Sequence, residues 1–530
     1  MTAMIDLVLV NPASRTRVYQ SLGTKLAAIE NPVWAGLMAN YCRAHGLRVE
    51  IVDAEAEEWI ATEVADRIAE LKPRLVAVVA YGHQPSASTQ IMTSAGEVCR
   101  AIKDSSPSQP VMLVGGHVAA LPERTLREEQ VDFVATGEGL VTLVQVVEAL
   151  RSVQPNWAEV SGLCYWDEGQ VRRTKEVPLL RDLDQTLPGI AWDLLPMNRY
   201  RAHNWHCLDG RDRQPYAALY TTLGCPFHCS FCCIQAPFKG GEQAAGLSTS
   251  ANSYRYWSPD FVVSQIDTLV QTYGVRNIKI ADEMFVLNRK HILGICDRLI
   301  ERNYDLNIWA YTRVDTIKEG MLPKLRAAGV TWLAVGIESG NGNVRAGVDK
   351  AITEDSIHEV IREIRAAGIN VIGNFIFGLP DDTRATMQET LRLAKDLNCE
   401  FANFYSAMAY PGSPLYEQAL TSGVPLPREW SGYSQHSYDS LPLPTRHLPA
   451  REVLAFRDQA FQDYYTSPGY LQMIQQRFGP ATVREIETMT QYQLKRALLE
   501  GTLNVPSVLM PASPPEPTWR AIESPRLLTK

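Results

Sequence analysis

Apolar and polar positions along this chain follow two rhythms. Short runs of consecutive apolar residues ("IDLVLVNP", "LRVEIVDA", "RLVAVVAYG", "PVMLVGG" and "VDFVATGEG") punctuate the first 150 residues. Stretches of helical period, such as "VWAGLMANYCRAHG" and "ADRIAELK", lie between them. A run that is apolar throughout suits a strand buried on both faces. Strands alternating with helices therefore predict a parallel sheet covered on both sides, an α/β doubly wound, Rossmann-like unit. Sheets of this kind bind ligands at the carboxyl ends of their strands. Gly115-Gly116-His117 and Gly137-Glu138-Gly139 stand at two of those ends.

The rhythm breaks over residues 155–215. "LCYWDEGQVRRTK" reads as a small hairpin, and "LPGIAWDLLPMNRYRAHNWH" as an irregular linker whose aromatic residues call for burial. A second series begins at Tyr216, with strands in "YAALYTTL", "NIKIADE", "NIWAYTRVD", "WLAVGIESG", "NVIGNFIFGLP" and "FANFYSAMAYPGSP". Six βα units predict a partial (β/α)6 barrel of the TIM type, with its chemistry at the C-terminal strand ends. Asp282, Glu283, Arg313, Glu338 and Asn374 fall there. From residue 426 the pattern is helical and amphipathic, and the Pro-rich stretch from Val505 to Lys530 reads as an extended tail. The expected organisation is a front sheet over 1–154, a linker with a hairpin over 155–215, a barrel over 216–425 and a helical C-terminal region over 426–530.

Composition narrows the function classes. A chain of 530 residues exceeds what one core supports, and 45% hydrophobic with 21% charged residues is ordinary for globular domains. A net charge of -8 offers no basic field for nucleic acid. No apolar run reaches the roughly 18 residues of a membrane span. The N-terminus lacks a basic segment and a cleavage site, so it reads as a first strand, and the expected location is cytoplasmic, where thiols stay reduced.

Six of the ten cysteines (Cys42, Cys99, Cys164, Cys207, Cys296 and Cys399) are scattered singly and read as small buried hydrophobes. The other four sit in "TTLGCPFHCSFCCIQ", directly after the first barrel strand. Cys225, Cys229 and Cys232 have the spacing C-x3-C-x2-C. Zinc would call for a second pair, although His228 could complete a site. A disulfide suits neither a reducing compartment nor the spacing. An iron–sulfur cluster is held by thiolates, and three thiolates on four irons leave one iron open. Cys233 reads as a spare thiol.

This loop, with Phe231 before its last cysteine and a six-unit barrel behind it, resembles the signature of the radical SAM superfamily. The resemblance implies that Cys225, Cys229 and Cys232 hold a [4Fe-4S] cluster whose open iron chelates S-adenosylmethionine (SAM). The reduced cluster then cleaves SAM to a 5′-deoxyadenosyl radical, with electrons from an external donor such as flavodoxin or ferredoxin. Later strand ends resemble the superfamily too. "IADEMF" makes Asp282 and Glu283 candidates for the SAM amino group. "YTRVD" makes Arg313 a candidate for its carboxylate, and "VGIESG" places Glu338 toward the ribose or the active-site cavity. Asp282 and Glu338 are the expected catalytic residues. In "NFIFGLPDDT", Gly378 and Pro380 would shape a turn near the adenine, and Asp381 and Asp382 would cap the next helix.

The front region resembles the cobalamin-binding domain of cobalamin-dependent radical SAM enzymes, chiefly through "LVGGHVAALPERTLREEQVDFVATGEG". That likeness implies cofactor contacts at Gly115, Gly116, His117, Gly137, Glu138 and Gly139. Glycines there let the backbone approach a nucleotide tail, and the helix after "GEG" can offer its N-terminus to a phosphate. No D-x-H-x-x-G follows the first strand, which implies base-off cobalamin without a protein His on cobalt. His83 lies either under the corrin or in a hydrogen-bonded loop. The activity expected from the resemblance is C-methylation of an unactivated carbon of a small molecule through methylcobalamin. A cyclase or ring-rearranging enzyme using the same cofactors is the alternative. A non-enzymatic cobalamin carrier or sensor would not need the cysteine triad. An RNA methylthiotransferase would call for more cysteines in the front region than Cys42 and Cys99, and for a basic charge. No motif names the substrate.

Overall fold

The computed structural model describes residues 4–506 and 508–511. Most of the tail expected over 505–530 lies outside these residues. The front sheet is built from β1 (Leu7–Asn11), β2 (Val49–Asp53), β3 (Leu75–Ala80), β4 (Val111–Gly115) and β5 (Phe133–Ala135). All five pair in parallel, in the order β2-β1-β3-β4-β5. β1 and β3 are buried along their whole length, which is why they read as unbroken apolar runs. The chain leaves β1 in one direction for β2 and returns to its other side with β3. This reversal opens a crevice at the carboxyl ends of β1 and β3.

The hairpin expected within the linker is β6 (Leu163–Asp167) with β7 (Gln170–Arg173). It is not a free-standing unit: β6 pairs antiparallel with β5, so the front sheet has seven strands. The linker that follows packs tightly. Trp205 is buried, stacks on Phe401 at 5.6 Å and meets Trp309 and Trp332 edge-on.

The single strand expected from Tyr216 to Leu223 is two strands, β8 (Tyr216–Leu219) and β9 (Thr222–Gly224). β9 leaves the barrel to pair antiparallel with β10 (Tyr254–Tyr256). The barrel sheet continues with β11 (Asn277–Ile280), β12 (Asn307–Arg313), β13 (Val330–Glu338), β14 (Asn370–Phe377) and β15 (Phe401–Ser406). Its six strands run in parallel in the order β8-β11-β12-β13-β14-β15, a curled half-barrel with two open edges.

Open edges leave unpaired backbone groups, and each edge here is covered by side chains from another region. At β8, Asn31 of the front region accepts from the Ala218 N–H at 2.7 Å and donates to its carbonyl at 3.0 Å. At β15, the helix Ala450–Tyr465 supplies three residues. Tyr464 donates to the Cys399 carbonyl, Tyr465 bridges the N–H and carbonyl of Ala402, and Arg457 donates to Phe404. The helical C-terminal region is therefore part of the barrel wall. Among the described residues no helix is long and apolar enough to cross a membrane.

Candidate active site

The cysteine loop springs from the barrel where β9 departs. Asp282, at the end of β11, accepts from the backbone N–H groups of Thr221 and Thr222 at 2.6 and 3.1 Å and from the Thr221 hydroxyl at 2.5 Å. Its side chain is fully buried. Burial raises its carboxyl to about 6 against the pull of these bonds. Asp282 thus pins the start of the loop and spends at least three acceptor positions there, a positioning role beside the catalytic contact expected of it. Gly224 closes the loop at φ +87, where a Cβ would stand 2.3 Å from the Ser253 carbonyl oxygen. Gln235 holds the Cys225 carbonyl from the far side.

Within this frame the Cys232 N–H donates to the Cys229 carbonyl at 3.0 Å, so the triad wraps one turn. Burial pushes the Cys225 thiol up to about 12, and Cys225, Cys229 and Cys232 lie close enough to raise one another. Among the described residues no three His, Cys, Asp or Glu side chains converge on a single metal ion. His228 turns instead toward Asn252, at 3.3 Å. Three neighbouring buried thiols suit an iron–sulfur body, whose positive irons offset the cost of buried thiolates.

The other strand ends surround this loop. Arg313 is gripped by Asp315 through two bonds of 2.9 and 3.0 Å, lies 3.9 Å over the Phe227 ring and donates to the Cys229 sulfur at 3.5 Å. Glu338 has φ +68, a left-handed conformation costly for a residue with a Cβ, at a register shift between β13 and β14. The shift aims its carboxylate at Lys350, with which it forms a buried ion pair. Glu283 is half-buried and accepts no hydrogen bond among the described residues. Burial first, and the Asp282 charge beside it, raise its carboxyl to about 8 despite Lys279. Asp381 pairs with Arg446, and Asp382 accepts from the N–H groups of Gly378 and Leu379. The helix cap expected there is Thr383 instead.

The front loops approach the cysteine loop from the opposite side, and their six expected contacts divide. Gly115 and Gly139 serve packing: a Cβ would stand 2.3 Å from the Ala80 carbonyl oxygen at the first and 2.4 Å from Val114 at the second. Gly116 and Gly137 face the barrel, with room for a Cβ and Pro237 as the neighbour across the gap. His117 turns inward, bonded to Thr89 at 3.1 Å and edge-on to Trp430, and burial drops its pKa to about 3. Glu138 forms a two-bond ion pair with Arg255 of β10. His117 and Glu138 are therefore structural partners rather than exposed contacts. His83 is bonded through Nε2 to the Asn31 carbonyl at 2.6 Å, with Nδ1 3.1 Å from Glu30, the loop arrangement rather than a free imidazole.

Three spaces lie between the front region and the barrel, the smallest a crevice of about 20 Å³ where Gly137, Glu138 and Gly139 meet Pro237 and Gly241. A narrow cleft of about 40 Å³ brings Gly116 and Tyr81 against Cys233, Pro237 and Glu283. A chamber of about 550 Å³ extends into the barrel. Gln84 lines both, and donates across the border to the Tyr311 hydroxyl at 2.8 Å. Sequence reading missed Gln84, Tyr311, Glu30 and Lys350. Tyr311 opens the "YTRVD" segment, whose motif points to Arg313, although the inward period of β12 marks the tyrosine; Gln84, Glu30 and Lys350 lie outside the quoted motifs.

A barrel of this topology with a cysteine triad, fronted by a parallel sheet whose glycine loops face it, defines a radical SAM enzyme with a cobalamin domain. Residues 219–394 match the Radical SAM superfamily, and residues 19–147 match the B12 binding domain. The chain belongs to the cobalamin-dependent radical SAM enzymes, and its cofactors are a [4Fe-4S] cluster, SAM and cobalamin. It is 28% identical over 469 residues to an uncharacterized methyltransferase of Pyrococcus horikoshii, covering 88% of this chain and 94% of the relative. It is also 28% identical over 408 residues to the anaerobic magnesium-protoporphyrin IX monomethyl ester cyclase of Rubrivivax gelatinosus, covering 76% of this chain and 68% of the relative. The fold is shared with the radical SAM methyltransferase TsrM of Kitasatospora setae, with TM-score 0.61, 18% identity, 80% of this chain and 76% of that one. The cobalamin-dependent enzyme OxsB matches with TM-score 0.65, 15% identity, 92% of this chain and 71% of that one.

Proposed function

We propose that this enzyme methylates an unactivated carbon of a small molecule. The observation that carries the reading is the cleft itself: the glycine loop of the front sheet and the cysteine loop of the barrel form opposite walls of one space. When bound, the cluster and SAM supply a hydrogen-abstracting radical and cobalamin supplies the methyl group. The near full-length likeness to a relative named as a methyltransferase supports this reading.

Each residue then has a task. Cys225, Cys229 and Cys232 hold the cluster, and Cys233 stays outside it. Arg313 donates toward the cluster thiolate and keeps two N–H groups for an anionic SAM group. Glu283, without a partner of its own, accepts from the SAM amino group. Glu338, held by Lys350 beside Cys229, stands where the SAM ribose would lie. Gly116 and Gly137, with no side chain facing the barrel, would let cobalamin approach the backbone, and His83 and His117, both engaged elsewhere, would not serve as ligands to its cobalt. The electron donor is an external flavodoxin or ferredoxin, and the ten free cysteines fit a reducing, cytoplasmic location.

The test needs no substrate. Loaded enzyme given SAM and a low-potential reductant should release both S-adenosylhomocysteine and 5′-deoxyadenosine, and label from methyl-deuterated SAM should reach cobalamin. The likeness to a cyclase favours a second reading, radical chemistry without methyl transfer, under which 5′-deoxyadenosine forms but no S-adenosylhomocysteine. Electron paramagnetic resonance of the Co(II) state checks the base-off claim, which nitrogen splitting would contradict.

A further inference from the structure

The large chamber has a chemistry of its own. Inward positions of the barrel strands place Lys279, Trp309, Tyr311 and Tyr405 on its wall, and the front region adds Tyr19 and Glu30. Every charge on this wall has a partner. Lys279 lies 3.1 Å from Glu30, which also accepts from the Tyr216 hydroxyl at 2.8 Å. Arg457 pairs with Asp458 at 2.8 Å, and Asp458 with Arg496 at 2.9 Å. Burial drops His203 to about 4 and lowers His436 well below its ordinary value, so both rings are neutral at pH 7.

A charged ligand would find no free counter-charge here and would lose its hydration on entry, which is costly. Aromatic faces, by contrast, are abundant: Trp309 meets Tyr311 edge-on at 5.1 Å, and Tyr19 meets His436 at 5.3 Å. Three phenol hydroxyls on this wall are unspent, those of Tyr19, Tyr405 and Tyr492. All three side chains are half-buried, line the chamber and make no hydrogen bond among the described residues. The neighbouring Tyr410 hydroxyl donates to the Tyr433 carbonyl, and the Tyr311 hydroxyl accepts from Gln84. A phenol facing this partly open space can donate to an acceptor that enters it.

We propose that this chamber is the substrate site and takes an uncharged, planar aromatic molecule with oxygen acceptors, which Tyr19 and Tyr405 bind by donation. Calling the occupant a substrate rests on the methyl-transfer reading, whereas the recognition chemistry does not. Binding is measured by anaerobic titration calorimetry on the loaded enzyme, with coumarin as the neutral probe, coumarin-3-carboxylate as the anion and tryptamine as the cation. Coumarin should bind once per chain, and the two charged probes at least about tenfold more weakly. Tyr405→Phe and Tyr19→Phe each remove one oxygen and should each weaken coumarin binding by about three- to tenfold, the weight of one hydrogen bond. Melting curves that match the parent show that these variants remain folded; if one does not, the other carries the test. No coumarin binding, tighter binding of either charged probe, or an unchanged affinity in the folded phenylalanine variants would overturn the proposal. Failure of the methyl-transfer reading shows instead as missing S-adenosylhomocysteine, in an assay without coumarin.

Discussion

The cysteine loop faces the Gly116 loop across one cleft and the Gly137 loop across a second, smaller crevice, and the two sides are built by different means. The cysteine loop is held from outside: Asp282 pins its start, Gln235 its first carbonyl, and Gly224 closes its base. The side chains of its three cysteines take no part in that support, so their sulfurs are available to a ligand. The glycine loops are held by their own motif. Gly115 and Gly139 allow close packing, His117 sits on Trp430, and Glu138 ties to Arg255. Only Gly116 and Gly137 look across the gap. A motif can therefore mark ligand contacts on one side of a site and mostly loop architecture on the other.

The sharpest test of the cysteine side is all-or-none. Replacing Cys225, Cys229 or Cys232 by Ala should abolish the cluster, read as the loss of iron and of its brown absorbance after anaerobic reconstitution. Cys233→Ala should keep it. A triad variant that retains the cluster while Cys233→Ala loses it would reverse the ligand assignment.

Next in size is the ion pair beside the loop. Lys350→Ala leaves Glu338 buried without its partner, a loss of about 3–5 kcal/mol for such pairs. Lys350→Met with Glu338→Gln should recover much of that stability in denaturant melts but not SAM cleavage. If the double variant cleaves SAM normally, Glu338 serves the fold alone.

The glycines give the direct contrast. Gly115→Ala would drive a Cβ into the Ala80 carbonyl, at 2.3 Å, and should destabilise the protein by about 1–3 kcal/mol. Gly116→Val meets nothing closer than 3.6 Å at its Cβ, so it should fold like the parent, yet its methyl groups enter the cleft. It should lose cobalamin while still forming 5′-deoxyadenosine. Equal melting of the two variants, or full cobalamin content in Gly116→Val, would erase the distinction between packing and contact glycines.

These contrasts mark what the sequence could carry. The two sheets were legible because fully buried strands such as "LVAVVA" leave unbroken apolar runs, and the triad because three thiols in eight residues have few uses. The break between β8 and β9 was not, since "YAALYTTL" is apolar throughout and only the pairing of β9 with β10 reveals the departure. The hairpin was visible but its docking on β5 was not, because edge pairing depends on a distant partner. Asp282 and Glu283 are adjacent carboxylates with equal claims in sequence. Depth separates them: one faces the loop backbone and is hydrogen-bonded to it, the other faces the cleft and is not.

That separation yields the smallest predicted effect. Burial raises Glu283 from the ordinary 4.5 to about 8, so across that window the folded protein holds a proton that the unfolded chain has released. Stability then falls as pH rises from 4.5 to about 8 and is insensitive to this group above it. Glu283→Gln keeps the size, removes the titration and should flatten that part of the profile in denaturant melts of cluster-free protein. Asp282→Asn should behave differently. Its carboxylate accepts two backbone N–H bonds through Oδ1 and the Thr221 hydroxyl through Oδ2, and an amide can accept through only one of these positions, so the variant should lose stability across the whole range. Parallel profiles for the parent and Glu283→Gln would mean that its carboxyl is solvated or paired in the cleft, and the glutamate would then lose its claim to be the unspent acceptor beside the cluster.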